Sequence, residues 1–323
     1  MFIPEYSITP QTLQNISTIE YARAIIENTT ILPSWENQMR KEARTRIIYN
    51  SLQFLNLNAE FNLVKLYVDQ IEMRFPTEFT NISNALEKVE EISKTKEFGE
   101  PQMRELNKTL CEKPLYRNTK VIHKPLPEEL LAKIVQFLDW YHSLDAQETH
   151  PLISAAITKA YLEYISLFKN SNSVTSNLAS VLILKSQGYS FKDFVCLEDY
   201  YQKTKRRHDE IISALLGSSP DFTEWLEYFT EGLSMETSNI KEKIKLLARD
   251  TKVAKATGRV KFTPRQERIV EYLQDYGILQ NRDFPRVFPD VSEDSILRDL
   301  KVLIEKNVVQ KNGSTKSSRY ELA

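Results

Sequence analysis

The chain has 323 residues, with 43 Lys+Arg against 44 Asp+Glu and a formal net charge of −1. Hydrophobic residues make up 41% and charged residues 27%, enough apolar material for a sizeable core and too much for a disordered chain. The near-neutral balance confines any nucleic-acid interaction to local patches, and the length suggests two or three domains. Glycine is scarce, with 7 in all and none between Gly99 and Gly188, which excludes a glycine-rich phosphate loop from the middle of the chain. Cys111 and Cys196 give no disulfide framework and no Cys-based zinc site. His123, His142, His150 and His208 are scattered singly, without metal-ligand spacing. Met1-Phe2-Ile3-Pro4-Glu5 lacks the basic flank and apolar run of a signal peptide, and the apolar stretch from Leu178 to Leu184 is far too short to span a bilayer. A cytoplasmic protein without membrane partners is the expectation.

The first 75 residues read as helical from Pro10, with Leu13, Ile16, Ile19, Tyr21, Ile25 and Ile26 at roughly helical spacing. A turn is expected at Leu32-Pro33-Ser34, and Trp35 opens a second helix toward Ser51. Residues 83–98 form a charged helix that Gly99 ends. The stretch from Pro114 to Pro125 has room for a short strand or hairpin. Pro127 starts a helix whose inner face carries Leu130, Leu131, Ile134, Leu138 and Tyr141. Pro151 starts another, running to about Phe168. A polar break, Lys169-Asn170-Ser171-Asn172-Ser173, separates it from an apolar helix, Val174 to Lys185, that Gly188 closes. A helix apolar all round is buried, so its polar entrance is the place to look for function.

From Asn239 the chain turns basic, with eight Lys/Arg between Lys241 and Lys261 against Glu242 and Asp250. Residues 262–323 read as helix to Gly277, a short helix around Asp283–Val287, and a third helix after Ser292. Two β-rich pieces follow, Val308–Lys311 and Ser318–Leu322, joined through Asn312-Gly313. That is the winged helix-turn-helix order.

The middle of the chain resembles the Fic family, whose members move AMP from ATP onto protein hydroxyls. The likeness runs from His150-Pro151-Leu152-Ile153 through Leu178–Leu184 to Gly188-Tyr189, Phe191–Phe194 and Leu197–Tyr201. Ile8-Thr9-Pro10 through Ile19–Ala22 to Leu32–Glu36 is similar to the helical extension of one Fic subfamily, which commonly carries a C-terminal winged helix. The resemblance implies a mostly α fold with a Fic-like helical core. The expected organisation is an N-terminal helical extension (1–100), a degenerate Fic-like core (101–238), a basic helical connector (239–261) and a winged helix-turn-helix domain (262–323).

The departures from the family carry the functional reading. The Fic signature is H-P-F-x-[D/E]-G-N-[G/K]-R with a second Arg three residues on. Here it falls on Ile165-Ser166-Leu167-Phe168-Lys169-Asn170-Ser171-Asn172-Ser173, and the second Arg on Ser176. Ile165 stands where the general-base His would be, and an isoleucine accepts no proton. Lys169 replaces the magnesium-holding carboxylate, and an ammonium repels the ion. Ser173 and Ser176 replace a cationic phosphate clamp and carry no charge. Asn170 and Asn172 occupy glycine positions and tolerate left-handed backbone, so the loop keeps a shape suited to weak anion or nucleotide binding; a polar helix entrance packed against neighbours is the plainer reading. Ser51–Asn56 fits the family's inhibitory frame with Leu55 where its Glu belongs. Leu55 and Ser176 thus remove both halves of an ion pair together. The target-docking flap is short, with seven residues between Arg117 and Pro125. His150 and His208 are read as structural, Tyr200 and Tyr201 as core, and Cys196 as a small buried hydrophobe.

In the winged helix, Ser295, Arg298 and Lys301 fall on or near one face of the third helix. Lys311, Lys316 and Arg319 lie in the wing. These are the expected nucleic-acid contacts. Against them stand Glu293 and Asp294 at the helix entrance, and ten basic against ten acidic residues over 262–323. The expected function is a catalytically inactive Fic-like regulator that needs no cofactor, with the core as scaffold, homodimer element or ligand sensor and the winged helix on double-stranded DNA. One alternative is a divergent AMP-transferase or other nucleotidyl or phosphoryl transferase using Glu163 or Lys169. The other is a winged helix that binds only protein.

Overall fold

Proline opens helix after helix in the first half of the chain, because its fixed φ and missing N–H suit a first helical turn. In the computed structural model, which describes residues 2–111, 116, 128–215, 220–256, 262–306, 308–313 and 318–323, α1 (Pro10–Asn28) begins on Pro10. α2 (Pro33–Phe54) begins on Pro33. The break between them therefore precedes Pro33 rather than containing it. α3 (Phe61–Val68), α4 (Thr77–Ser93) and α5 (Glu100–Leu110) follow. Gly99, expected to end a helix, is instead the N-cap of α5 in extended backbone, and α4 stops earlier. The strand expected between Pro114 and Pro125, the short flap and Pro127 lie outside the described residues, apart from Tyr116. That residue forms an isolated bridge with Phe168 and stacks on its ring at 5.5 Å.

α6 (Glu128–Tyr141) buries Leu130, Ile134, Phe137 and Trp140, while Leu131, expected inside, is exposed. The i, i+4, i+7, i+10 row wins because its two aromatic rings bury far more area than Leu131 would. Phe137 stacks on Tyr161, and Phe2 packs against Phe137, Trp140 and Tyr161. The short α7 (Leu144–Glu148) is capped by Ser143.

The centre is a helical hairpin. α8 (Pro151–Ile165) and α9 (Asn172–Ser186) pack along each other and are buried on nearly every side. α4 packs on α9, and α5 packs on both. The apolar all-round composition of 174–185 is met by that enclosure. α8 ends at Ile165, short of the expected Phe168. Ser166 takes a left-handed conformation there, φ 46°, and caps the helix. α9 closes as expected, with Gly188 at φ 83° in open space.

α10 (Glu198–Lys203) and α11 (Lys205–Ala214) lead into α12 (Thr223–Ala256). Trp225, Tyr228, Phe229 and Leu233 of α12 are fully buried, and the Trp225 indole N–H donates to Ala156 O at 2.8 Å. Gly232 lies directly against the Tyr200 ring, leaving no room for a Cβ. The basic stretch from Asn239 thus continues the same helix for most of its length. The inner row of α1 is Thr12, Asn15, Ile19, Ala22 and Ile26. Leu13 and Tyr21, which share the helical spacing read in the sequence, are more than half exposed. Polar pairing with α12 sets this rotation: Asn15 Nδ2 donates to Thr230 Oγ1 at 3.2 Å, and Thr9 Oγ1 donates to Glu227.

The chain divides into two compact units, Met1–Glu27 with Glu42–Lys241, and Asn28–Lys41 with Glu242–Ala323. In the second unit α13 (Pro264–Tyr276) starts from a Thr263–Gln266 capping box and stops at Gly277, φ 74°. β1 (Leu279–Gln280), α14 (Phe284–Val287), α15 (Glu293–Glu305), β2 (Val309–Asn312) and β3 (Arg319–Leu322) follow. β3 lies between β1 and β2, antiparallel to both, with Leu279 opposite Tyr320 and Val309 opposite Leu322. β1 is too short to show a period in sequence and was not expected. Ile269, Leu273, Leu279, Phe284, Ile296, Leu300, Leu303, Tyr320 and Leu322 form a separate core. The overall architecture is mostly α, with this one small sheet among the described residues.

Candidate functional site

The polar break between α8 and α9 folds into a stapled turn. Asn172 sits at the start of α9 and reaches back. Its Nδ2 donates to Leu162 O at 3.1 Å, and its Oδ1 accepts from Phe168 N–H at 3.0 Å. Asn107 of α5 holds the other side, donating to Asn170 O at 2.9 Å and to Thr175 Oγ1 at 3.0 Å. Asn170 and Asn172 tolerate left-handed backbone but do not adopt it. It falls instead on Ser166 and Ser171, φ 46° and 56°. The Asn107 and Asn172 side chains form the staple, and each left-handed serine costs about 1–3 kcal/mol that the staple offsets.

Ile165 is buried at the end of α8. Lys169 and Asn170 are exposed at the tip of the turn, and Ser173 is half-buried. Ser176 is buried, its hydroxyl 2.8 Å from Ser173 O and 3.3 Å from Glu163 Oε1, both acceptors for its one proton. Glu163, a candidate base, is itself engaged: its Oε2 lies 3.0 Å from Lys159 Nζ and 3.4 Å from His208 Nε2. Lys159 is wholly buried, with Tyr201 and Trp225 rings 4.7 and 5.0 Å from its ammonium. Burial pushes the Lys159 pKa down, and Glu163 opposes that shift. Glu198, also buried, has its pKa raised by desolvation.

This buried cluster was legible only in part. Lys159 and Glu163 stand four apart, the spacing of a helical ion pair. Nothing in sequence marks His208, 45 or more residues on, as their partner. Leu55 lies just past the end of α2 and is partly buried. Its neighbour Phe54 comes within 6.2 Å of the His208 ring, so that end of α2 reaches the cluster. His150 is the N-cap of α8, accepting from Leu152 N–H at 3.3 Å. Tyr201 and Cys196 are buried, as expected of core residues, and Tyr200 is partly so.

The second unit offers a different surface. Ser295, Arg298 and Lys301 lie on α15; Arg298 and Lys301 are exposed, and neither is in an ion pair among the described residues. Ser295 is half-buried and its hydroxyl pairs with that of Ser292 at 2.9 Å. Lys311 on β2 and Arg319 on β3 are exposed, Lys311 over the Tyr320 ring; Lys316 lies outside the described residues. Asp299, on the opposite side of α15, is buried between Arg265 and Gln266 of α13 and fixes how α15 is presented. Glu293, at the acidic helix entrance, accepts a hydrogen bond from Asn281 Nδ2 at 2.9 Å. No group of residues suited to a metal ion occurs among the described residues, and no helix there is long and apolar enough to cross a membrane.

The fold is similar to that of solved Fic proteins. A Fic family protein from Desulfovibrio desulfuricans G20 matches 100% of this chain and 98% of its own, at TM-score 0.59 and 18% identity. A Fic domain containing signaling protein from Bacteroides thetaiotaomicron VPI-5482 matches over 75% of this chain and 98% of its own, at TM-score 0.54 and 18% identity. Fic-1 from C. elegans matches over 73% of this chain and 71% of its own, at TM-score 0.55 and 14% identity. No protein-family model and no curated protein matches the sequence. At these identities the likeness establishes a Fic-like fold.

Proposed function

We propose that this chain, Fic-like in fold, is catalytically silent and acts as a regulator that binds duplex DNA through a C-terminal winged helix. The observation that carries the silent core is the stapled α8–α9 turn. Its base position is a buried aliphatic side chain, Ile165, and its clamp positions are serines. A hydroxyl nucleophile near neutral pH needs a proton acceptor, and a transferring phosphoryl group needs positive charge. Glu163 is unsuited as a substitute base, because it is buried and its carboxylate is already held by Lys159 and the Ser176 hydroxyl. Lys169 is exposed, whereas Lys159, Glu163 and His208 are buried.

The DNA half rests on the helix–strand–helix–helix–hairpin order of the second unit and on Arg298, Lys301, Lys311 and Arg319 exposed along α15 and the paired strands. A helix with exposed cations on its outer face suits major-groove docking, and strand cations suit phosphate contacts. The test is fluorescence anisotropy of labelled random-sequence duplex with the full-length protein across a salt series. Binding that weakens steeply with salt supports the reading. No binding even at low salt removes the DNA half and leaves a protein-binding module.

A further inference from the structure

We propose that His208 is a pH-sensitive latch that ties α11 to α8 and, through Lys159 and Glu163, to the entrance of α9. The inference stands apart from the DNA-binding reading and rests on the hydrogen-bond chemistry of the buried cluster. His208 is 4% exposed. Its Nε2 lies 3.2 Å from Lys159 Nζ and its Nδ1 lies 3.0 Å from Asp209 Oδ1. Glu163 beside Lys159 favours the ammonium form of the lysine, and towards an ammonium, which only donates, Nε2 accepts, so that the ring is neutral with its proton on Nδ1, directed at Asp209. Asp209, half exposed, thereby begins a chain that runs through His208, Lys159 and Glu163 to Ser176 at the entrance of α9.

A second proton on the ring breaks this chain. Nε2 becomes a donor and faces an ammonium at 3.2 Å inside the core. The protonated ring can turn to Glu163 Oε2, 3.4 Å away, but that carboxylate is the partner of Lys159. Lys159, wholly buried, has no route to water. Either the lysine or the histidine is left as an unpaired buried charge. The other groups around the ring do not resolve the conflict. α8 presents Lys159 and Glu163, and α11 itself presents Asp209. α10 presents Tyr201 at 5.2 Å between ring centroids and, by Cys196, the buried Glu198, whose charged form burial disfavours. α12 presents Tyr228 and Trp225, and α2 presents Phe54.

Burial first, then Lys159, hold the His208 pKa below its ordinary value, while Glu163 and Asp209 pull the other way. A histidine depressed in the folded state gives its full contribution to stability above the ordinary His value. That contribution is lost as pH falls below it, where the unfolded chain takes up the proton first. The latch is therefore closed at neutral pH and released on acidification. His150, also depressed by burial, adds a separate acid-sensitive contribution at the N-cap of α8, so a global melting curve alone does not isolate His208.

The test is amide hydrogen exchange on the full-length protein at about pH 7.5 and about pH 5.5, corrected for intrinsic exchange. The proposal expects α11 and the C-terminal half of α8 to open roughly 10-fold more at the lower pH, with α4 and α5 unchanged. His208→Gln offers an uncharged acceptor to Lys159 and must abolish that difference, whereas His150→Gln must keep it. A pH difference that survives in His208→Gln, or is missing from the wild type, overturns the proposal. Should His208→Gln fail to fold, the wild-type ring is read by NMR. A neutral Nδ1–H ring titrating below the ordinary His range supports the latch, and one titrating at or above that range overturns it.

Discussion

Asn172 is the residue on which the α8–α9 turn depends. Its side chain satisfies one carbonyl and one amide across the turn, and both bonds help hold Ser166 and Ser171 in left-handed backbone. Asn172→Ala removes both bonds at once and is expected to lower stability by about 1–3 kcal/mol, read from denaturant midpoints at constant slope. Lys159 and Glu163 give a second prediction at this scale. Lys159→Ala leaves a buried carboxylate without its ammonium and is expected to cost about 3–5 kcal/mol. Replacing both, as in Lys159→Met with Glu163→Leu, removes the stranded charge and is expected to cost less than the single change. A double-mutant cycle in urea gives the coupling directly; additive effects would mean that the pair does not act as a unit.

At the scale of elements, α15 is an amphipathic helix with two different faces. Ile296, Leu300 and Leu303 bury against α13 and the sheet, and Asp299 locks that side to Arg265 and Gln266. The outer side carries Arg298 and Lys301. Replacing both cations with alanine touches no core residue, so the fold and melting temperature should hold. DNA affinity should fall, and the dependence of log K on log salt should flatten by roughly 2 if each cation meets one phosphate. Unchanged binding in that variant would move the contact surface elsewhere. Glu293 and Asp294 would then mark this helix as a partner for protein rather than phosphate.

At the scale of the molecule, the helices α1, α2, α8 and α9 are legible because proline and glycine punctuate them, and the three helices and two paired strands of 262–323 are legible from period and turn residues, whereas α5, α11, the first part of α12 and the short β1 are not. Nor are the faces of α1 and α6. Leu13, Tyr21 and Leu131 fit an apolar stripe, but the real inner rows were chosen by Asn15–Thr230 pairing and by the bulk of Phe137 and Trp140. Such long-range choices leave no mark on local spacing. Gly99 misled for a related reason, since an extended glycine begins a helix as readily as a left-handed one ends it. The polar break and the residues that fill it are legible in the sequence. The way Asn107 and Asn172 tie it, and the closure of Lys159, Glu163 and His208 beneath it, belong to tertiary packing.

The most direct measurement is transfer of label from ATP. The full-length protein is incubated with ATP labelled on its α-phosphate or its γ-phosphate, magnesium and cell lysate, and compared with a heat-killed sample. The proposed registration, with Ile165 at the base position, Lys169 at the metal position and Ser173 and Ser176 at the clamp positions, predicts incorporation no higher than the control with either label. Incorporation above the control with either label would contradict a silent core.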